Sequence, residues 1–285
     1  MLNSAQAFDK FLKEFVEPSG KQAEDAIRQE KAVREALQKA LGPQEVFISG
    51  SYGRGTAIRP LHDIDLFFVL PPDPGPASVQ AYLQKFKKAI EDAFPGKQAR
   101  LQAHSVNIEF TGSEIGFDVL PALKDATRPN VYRIPERDTS QWIQTNPRLH
   151  KEKLDEADQR AGSKLRPLIK LAKRWNRQHG KPLPSFHLEV MAWEAFRAPP
   201  PSLPEGLPLC FEFLAERVKS LCPDPAGLGS PIDSKLSPER RTDARQKLES
   251  AARKARQALE YEKHGNLKEA HPLWRDLLGT DFPER

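Results

Sequence analysis

Ile48-Ser49-Gly50-Ser51-Tyr52-Gly53-Arg54-Gly55-Thr56-Ala57-Ile58-Arg59-Pro60-Leu61-His62-Asp63-Ile64-Asp65-Leu66-Phe67-Phe68-Val69-Leu70 carries two signals in order. A Gly-Ser turn closes one apolar strand, and two carboxylates open the next. Residues i and i+2 of a strand point to the same face, so Asp63 and Asp65 project side by side, about 7 Å apart along the chain. Such a pair repels itself unless a cation sits between its members.

A third carboxylate lies downstream. Val106-Asn107-Ile108-Glu109-Phe110 alternates as a half-buried strand does. Thr111-Gly112-Ser113-Glu114 reads as a turn, and Ile115-Gly116-Phe117-Asp118-Val119-Leu120-Pro121 as the returning strand of a hairpin. If that strand pairs with the one opened by Asp63, the three carboxylates converge. Hard oxygen donors on a rigid sheet suit Mg²⁺ (or Mn²⁺). Three carboxylates can hold two such ions roughly 3.5–4 Å apart, where they clamp the attacking and leaving oxygens of a phosphoryl transfer. Asp118 is then the ligand or base acting on the attacking hydroxyl. Gly50, Gly53 and Gly55 let the backbone approach a triphosphate, Ser51 offers a hydroxyl, and Arg54 offers a guanidinium.

This ordered set resembles the polymerase-β-like nucleotidyltransferases. The runs Gly50 to Ile58 and Phe117 to Ala122 resemble the bacterial CD-NTases, relatives of cyclic GMP-AMP synthase and oligoadenylate synthase. Trp142 to Pro147 with His150, Leu168 to Asn176, Pro184 to Glu189 and Ala270 to Pro283 are similar to later blocks of that family. The resemblance implies an α+β fold, with a mixed-sheet catalytic lobe over residues 1–145 and a helical nucleotide-holding lobe over 146–285. It implies Asp63, Asp65 and Asp118 as the metal triad, with two Mg²⁺ or Mn²⁺ ions. It implies Gly50, Ser51, Lys173 and Ser185 as triphosphate contacts, with Phe186 over the donor base. Ser185 also reads as a helix N-cap.

The implied activity joins nucleoside triphosphates into a cyclic di- or oligonucleotide, a second messenger of bacterial anti-phage (CBASS) signalling that a separate effector reads. A regulatory partner protein stays open. So do three other readings: an RNA-tailing transferase of the CCA or poly(A) kind, protein nucleotidylation, and an inactive nucleotide- or RNA-binding module. Cyclic GMP-AMP synthase senses duplex DNA through a Cys/His zinc insertion. Cys210 and Cys222 are the only cysteines here and lack metal-ligand spacing, so a duplex-DNA requirement is not expected.

Bulk composition agrees. The 285 residues are 38% hydrophobic and 29% charged, as in globular proteins. Two cysteines point to a reducing cytoplasm. No stretch approaches the roughly eighteen apolar residues of a spanning helix, and Met1-Leu2-Asn3-Ser4 opens no signal-peptide pattern. The net charge of +5 permits an anionic partner without demanding one. Phe8, Phe11, Leu12 and Phe15 predict a helix over 3–15, and Ala26, Ile27, Val33 and Leu37 another over 21–41, stopped at Gly42-Pro43. Pro71 to Pro76 reads as a breaker, 127–139 as a polar crossover, and Pro199 to Pro208 as a proline-rich loop. Residues 240–256 read as a solvated helix face.

Overall fold

The computed structural model describes residues 2–71 and 78–283, so the breaker expected over Pro71 to Pro76 lies, from Pro72 on, outside the described residues. The fold is α+β. The chain forms two compact units: Ser19–Gly55 with Pro60–Lys151, and Met1–Pro18 with Thr56–Arg59 and Glu152–Arg285.

The first unit is built on a sheet. Helix α2 (Gly20–Leu41) starts on a capping box of Ser19 and Gln22 and stops at Gly42, whose φ of 57° is left-handed. Strands β1 (Glu45–Ile48), β2 (Asp63–Leu70), β3 (Arg100–Leu101), β4 (Val106–Phe110), β5 (Ile115–Lys124), β6 (Tyr132–Glu136) and β7 (Gln141–Thr145) follow, with α4 (Val79–Ala93) after β2 and the short α3 (Gly50–Gly53) before it. The sheet order is β1-β2-β5-β4-β3, with β6 and β7 continuing from the far end of β5. Only β2 and β5 run parallel, so the sheet is mixed.

Alternation divides β2 between two faces. Ile64, Leu66 and Phe68 are fully buried, and Phe68 meets Phe86 of α4 edge-on at 6.1 Å. Asp63, Asp65, Phe67 and Val69 share the other face. Beyond the carboxylates that face closes in an apolar cluster of Phe67, Val69, Leu120, Ala122, Tyr132 and Ile134. The segment expected as a polar crossover contains β6, because Tyr132 and Ile134 alternate into this cluster.

The second unit is helical: α1 (Ser4–Phe11), α5 from Glu152 to its end at Arg160, α6 (Leu165–Gln178), α7 (Ser185–Ala192), α8 (Leu203–Arg217), α9 (Pro238–Lys263) and α10 (Leu267–Leu278). A π-helical turn, Leu12–Val16, replaces the last turn expected of the first helix. Ser237 caps α9 with Pro238 in its first turn, where proline's fixed φ suits a helix start. Within the stretch expected as a proline-rich loop, Ser202 caps α8, Pro204 lies in its first turn and Pro208 inside it. Proline costs least near a helix start, where the missing N–H would have no partner anyway.

The sequence reading assigns residues 1–145 to the sheet lobe, whereas Met1–Pro18 packs within the helical unit. The cause is aromatic. Phe8 meets Trp274 at 4.9 Å and Phe282 at 5.2 Å, both edge-on, and Phe8 and Trp274 are completely buried. Each such pair contributes about 0.5–1.5 kcal/mol beyond the area buried. Among the described residues no helix is long and apolar enough to cross a membrane.

Candidate functional site

Register brings the carboxylates together. In the parallel β2–β5 ladder Asp65 lies directly opposite Asp118, with Asp63 two residues earlier on the same face. Asp63 is exposed; Asp65 and Asp118 are half-buried. Two glycines permit this approach. A Cβ on Gly116 would stand 2.3 Å from the His62 carbonyl, and the Gly116 N–H donates to that carbonyl at 2.7 Å. A Cβ on Gly50 would stand 1.6 Å from Asp65 Oδ2, and Gly50 has φ +60°. The Gly-Ser turn and the carboxylate are therefore in contact, and only glycine fits between them. The Ser49 N–H donates to the Asp65 carbonyl at 2.8 Å and fixes the turn against β2.

The electrostatics follow from this crowding. Burial pushes the Asp65 carboxyl up to about 7; the Asp118 and Asp63 charges push the same way, and the Arg54 guanidinium opposes them. Asp118 is also raised, first by burial and less by Asp63, against a hydrogen bond from Asn107. Carboxylates that resist ionising together are suited to a cation that relieves their repulsion. Hard oxygens on adjacent strands are the donor chemistry of Mg²⁺ and Mn²⁺. As the side chains stand, no three carboxylate, imidazole or thiolate groups among the described residues form a ready coordination shell, so a cation would have to draw these three in.

Asn107 is the residue the sequence reading missed. It faces Asp118 across the β4–β5 hairpin, is 4% exposed, and donates its amide to Asp118 Oδ1 at 2.9 Å. Arg54 is buried, and Ser51 is half-buried within α3.

Lys173, Ser185 and Phe186 belong to the helical unit. Lys173 is buried in α6; its Nζ donates to the Thr56 carbonyl at 2.9 Å and lies 3.5 Å from Glu189 Oε2. The Thr56 hydroxyl donates to that same oxygen at 2.8 Å. Lys173 is thus part of an internal network as well as a phosphate candidate. Ser185 is exposed in the first turn of α7, and Pro184 takes the N-cap position. The N-cap expected at Ser185 therefore does not form, because the chain enters the helix one residue earlier. Phe186 is half-buried and meets Trp193 edge-on at 6.4 Å.

His187 is completely buried, and neither ring nitrogen has a hydrogen-bond partner among the described residues. Burial lowers its pKa to about 4, against the nearby Asp233 charge and with those of Arg241 and Arg217. The unfolded chain therefore takes up this proton first. Its contribution to stability is intact above about pH 6.5 and is lost as pH falls toward 4. Acidification from pH 7 to 5 should cost about 2 kcal/mol through His187. Melting temperatures of wild type and His187→Phe across that range check this: the wild type should lose more.

Residues 1–158 match the model of the Second Messenger Oligonucleotide or Dinucleotide Synthetase domain. The chain belongs to that family. It is a bacterial CD-NTase, a nucleotidyltransferase that makes cyclic oligonucleotides. The synthetase is 26% identical to a cyclic AMP-AMP-AMP synthase of Acinetobacter sp. (strain ATCC 27244 / 9458), over 99% of this chain and 86% of the relative. In fold the synthetase is similar to Escherichia coli MS115-1 CdnC solved with ATP, at a TM-score of 0.77, 20% identity, and 98% and 99% of the two chains. That protein has also been solved in a complex with HORMA-deltaN. The synthetase is likewise similar to Vibrio cholerae DncV, a cyclic AMP-GMP synthase solved with a linear pppA(3',5')pG intermediate, at a TM-score of 0.80, 14% identity, and 100% and 98% of the two chains.

Proposed function

We propose that the synthetase joins nucleoside triphosphates into a short cyclic nucleotide at the face formed by Asp63, Asp65 and Asp118, without template or primer and without a duplex-DNA requirement. The observation that carries this is the parallel register of Asp65 beside Asp118, with the Gly50 turn in contact with Asp65. The turn positions the triphosphate through Ser51 and backbone N–H groups. A ribose hydroxyl attacks the α-phosphate and pyrophosphate leaves. Asp118, oriented by Asn107, accepts the hydroxyl hydrogen bond and receives its proton. Two Mg²⁺ or Mn²⁺ ions, held by the three carboxylates, supply charge stabilisation for the attacking and leaving oxygens when bound.

From the helical unit, Lys173 and Ser185 contribute phosphate contacts and Phe186 a surface for the donor base. The Lys173 role is supported by the family resemblance and is constrained by its bonds to Thr56 and Glu189. The biological reading is CBASS signalling in the cytoplasm, with a separate effector reading the product. A regulatory partner protein is supported by the HORMA complex of CdnC.

Incubation with all four triphosphates and Mg²⁺ or Mn²⁺, followed by mass analysis, tests this. A closed ring has no terminal phosphate, so the product should resist phosphatase. Extension of added RNA without such a product would favour the tailing reading instead.

Asn107→Ala should leave Asp118 misoriented. A hydrogen bond to a charged group contributes about 1.5–3 kcal/mol, so kcat should fall roughly 10- to 100-fold. The triphosphate KM should change little, while the melting temperature should fall by several degrees because the same bond is made by a buried side chain. A raised KM at constant kcat would place Asn107 in binding rather than orientation.

A further inference from the structure

A small cavity lies in the sheet unit beside α3. Its wall includes the apolar Phe47, Ile48 and Pro147 and the cationic Arg54, Arg148 and Lys151, and none of the three carboxylates, Gly50 or Ser51 is in it. Its volume of about 140 Å³ is well above the roughly 10–15 Å³ that admits one water and below the roughly 300 Å³ at which pockets begin to take drug-sized ligands. It is too small for a nucleotide and large enough for one or two phosphoryl groups.

Its chemistry is one-sided. Three cationic residues line it and no acidic residue does. Arg148 is held in place: its guanidinium lies over the Phe47 ring, 4.9 Å from the centroid, bonds Glu45, and donates to the Tyr132 hydroxyl at 3.2 Å. Glu45 is shared, because Lys124 lies 3.4 Å from its other oxygen. One carboxylate thus balances two cations, and the Arg148 fork is fixed before a ligand arrives. Preset guanidinium groups match phosphoryl oxygens in both charge and hydrogen-bond geometry.

We propose that this cavity is a binding site for a compact phosphate oxyanion, separate from the triphosphate turn. Arg54 links the two sites, since it lines this cavity and its charge is felt at Asp65. Pyrophosphate, with two phosphoryl groups, fills the cavity better than inorganic phosphate and should bind more tightly.

Calorimetric titration of sodium pyrophosphate and of inorganic phosphate, without divalent metal, tests the proposal. The Asp63→Ala/Asp65→Ala variant is the principal sample, because it lacks the carboxylate site and so separates this proposal from the synthetase reading. That variant and Ser51→Ala should bind pyrophosphate as the wild type does. Adding Arg148→Gln and Lys151→Gln should weaken binding at least tenfold, and Lys151→Gln alone should weaken it measurably. Since Arg148→Gln also loosens Glu45, a melting curve accompanies each variant and Lys151→Gln serves as the milder control. Undiminished affinity in the folded Arg148→Gln/Lys151→Gln variant would overturn the proposal. So would binding that disappears with Asp63 and Asp65 or with Ser51 while the cavity is intact.

Discussion

Asp63→Ala/Asp65→Ala should abolish product formation while the protein stays folded. Asp63 is exposed and Asp65 half-buried, so neither fills the core. In the proposed reaction both serve the metal ions that offset charge building up on the transferring phosphoryl group. Loss of that stabilisation costs several kcal/mol of barrier, a fall of at least about a thousandfold. Because Asp65 is crowded by Asp118 and Asp63, removing the pair also relieves repulsion, and the metal-free variant should melt no lower than the wild type. Turnover by initial rate and melting by calorimetry check the two halves. Wild-type turnover in the folded double variant would remove the three-carboxylate assignment.

Glu189→Ala should have the largest effect on stability. Glu189 has no exposed surface and takes the Thr56 hydroxyl at 2.8 Å with the Lys173 ammonium at 3.5 Å. Without it, Lys173, itself 6% exposed, loses its paired carboxylate in the interior. Breaking one partner of a buried pair costs about 3–5 kcal/mol. For a protein of this size that lowers the melting temperature by roughly 6–15 °C. Glu189→Leu with Lys173→Met should lose less than Glu189→Ala alone, because no buried charge is stranded. A Glu189→Ala melting point within two degrees of wild type would show that the pair contributes little. The same network complicates Lys173→Ala, whose effect on triphosphate binding is interpretable only beside its melting curve.

Much of the sheet unit was legible from local pattern. The Gly-Ser turn, the two aspartates and the hairpin bearing Asp118 are each encoded within a few residues. So are the stop at Gly42 and the cap at Ser237. Asn107 was available and overlooked: a turn at 111–114 pairs Phe110 with Ile115, and counting back places Asn107 opposite Asp118. Asparagine between Val106 and Ile108, in a buried run, calls for a polar partner.

The misses have a common cause. Periodicity tells which face of an element is apolar and is silent on what covers it. Phe8 and Phe11 define a helix equally well against a sheet or against Trp274 and Phe282. Tyr132 and Ile134 alternate within a stretch whose proline, charge and turn residues dominate its composition. The resemblance assigns Lys173 to the triphosphate, and no local pattern could show its bonds to Thr56 and Glu189, which join segments 117 and 16 residues away along the chain.

The interleaving of the two units has a topological consequence for anyone dividing the gene. The chain passes between them at residues 18–19, 55–56, 59–60 and 151–152. No single cut yields both halves. A fragment starting at Glu152 lacks Phe8, and with it the edge-on partner of Trp274 and Phe282. A circular permutant that starts at Glu152 and joins Arg285 to Met1 makes the helical unit one continuous run, save for Thr56 to Arg59. Those four residues bring the hydroxyl that bonds Glu189 and the carbonyl that bonds Lys173. Truncating such a permutant after Pro18 should therefore give a product that folds only weakly, until a second polypeptide carrying Thr56 to Arg59 is supplied in trans.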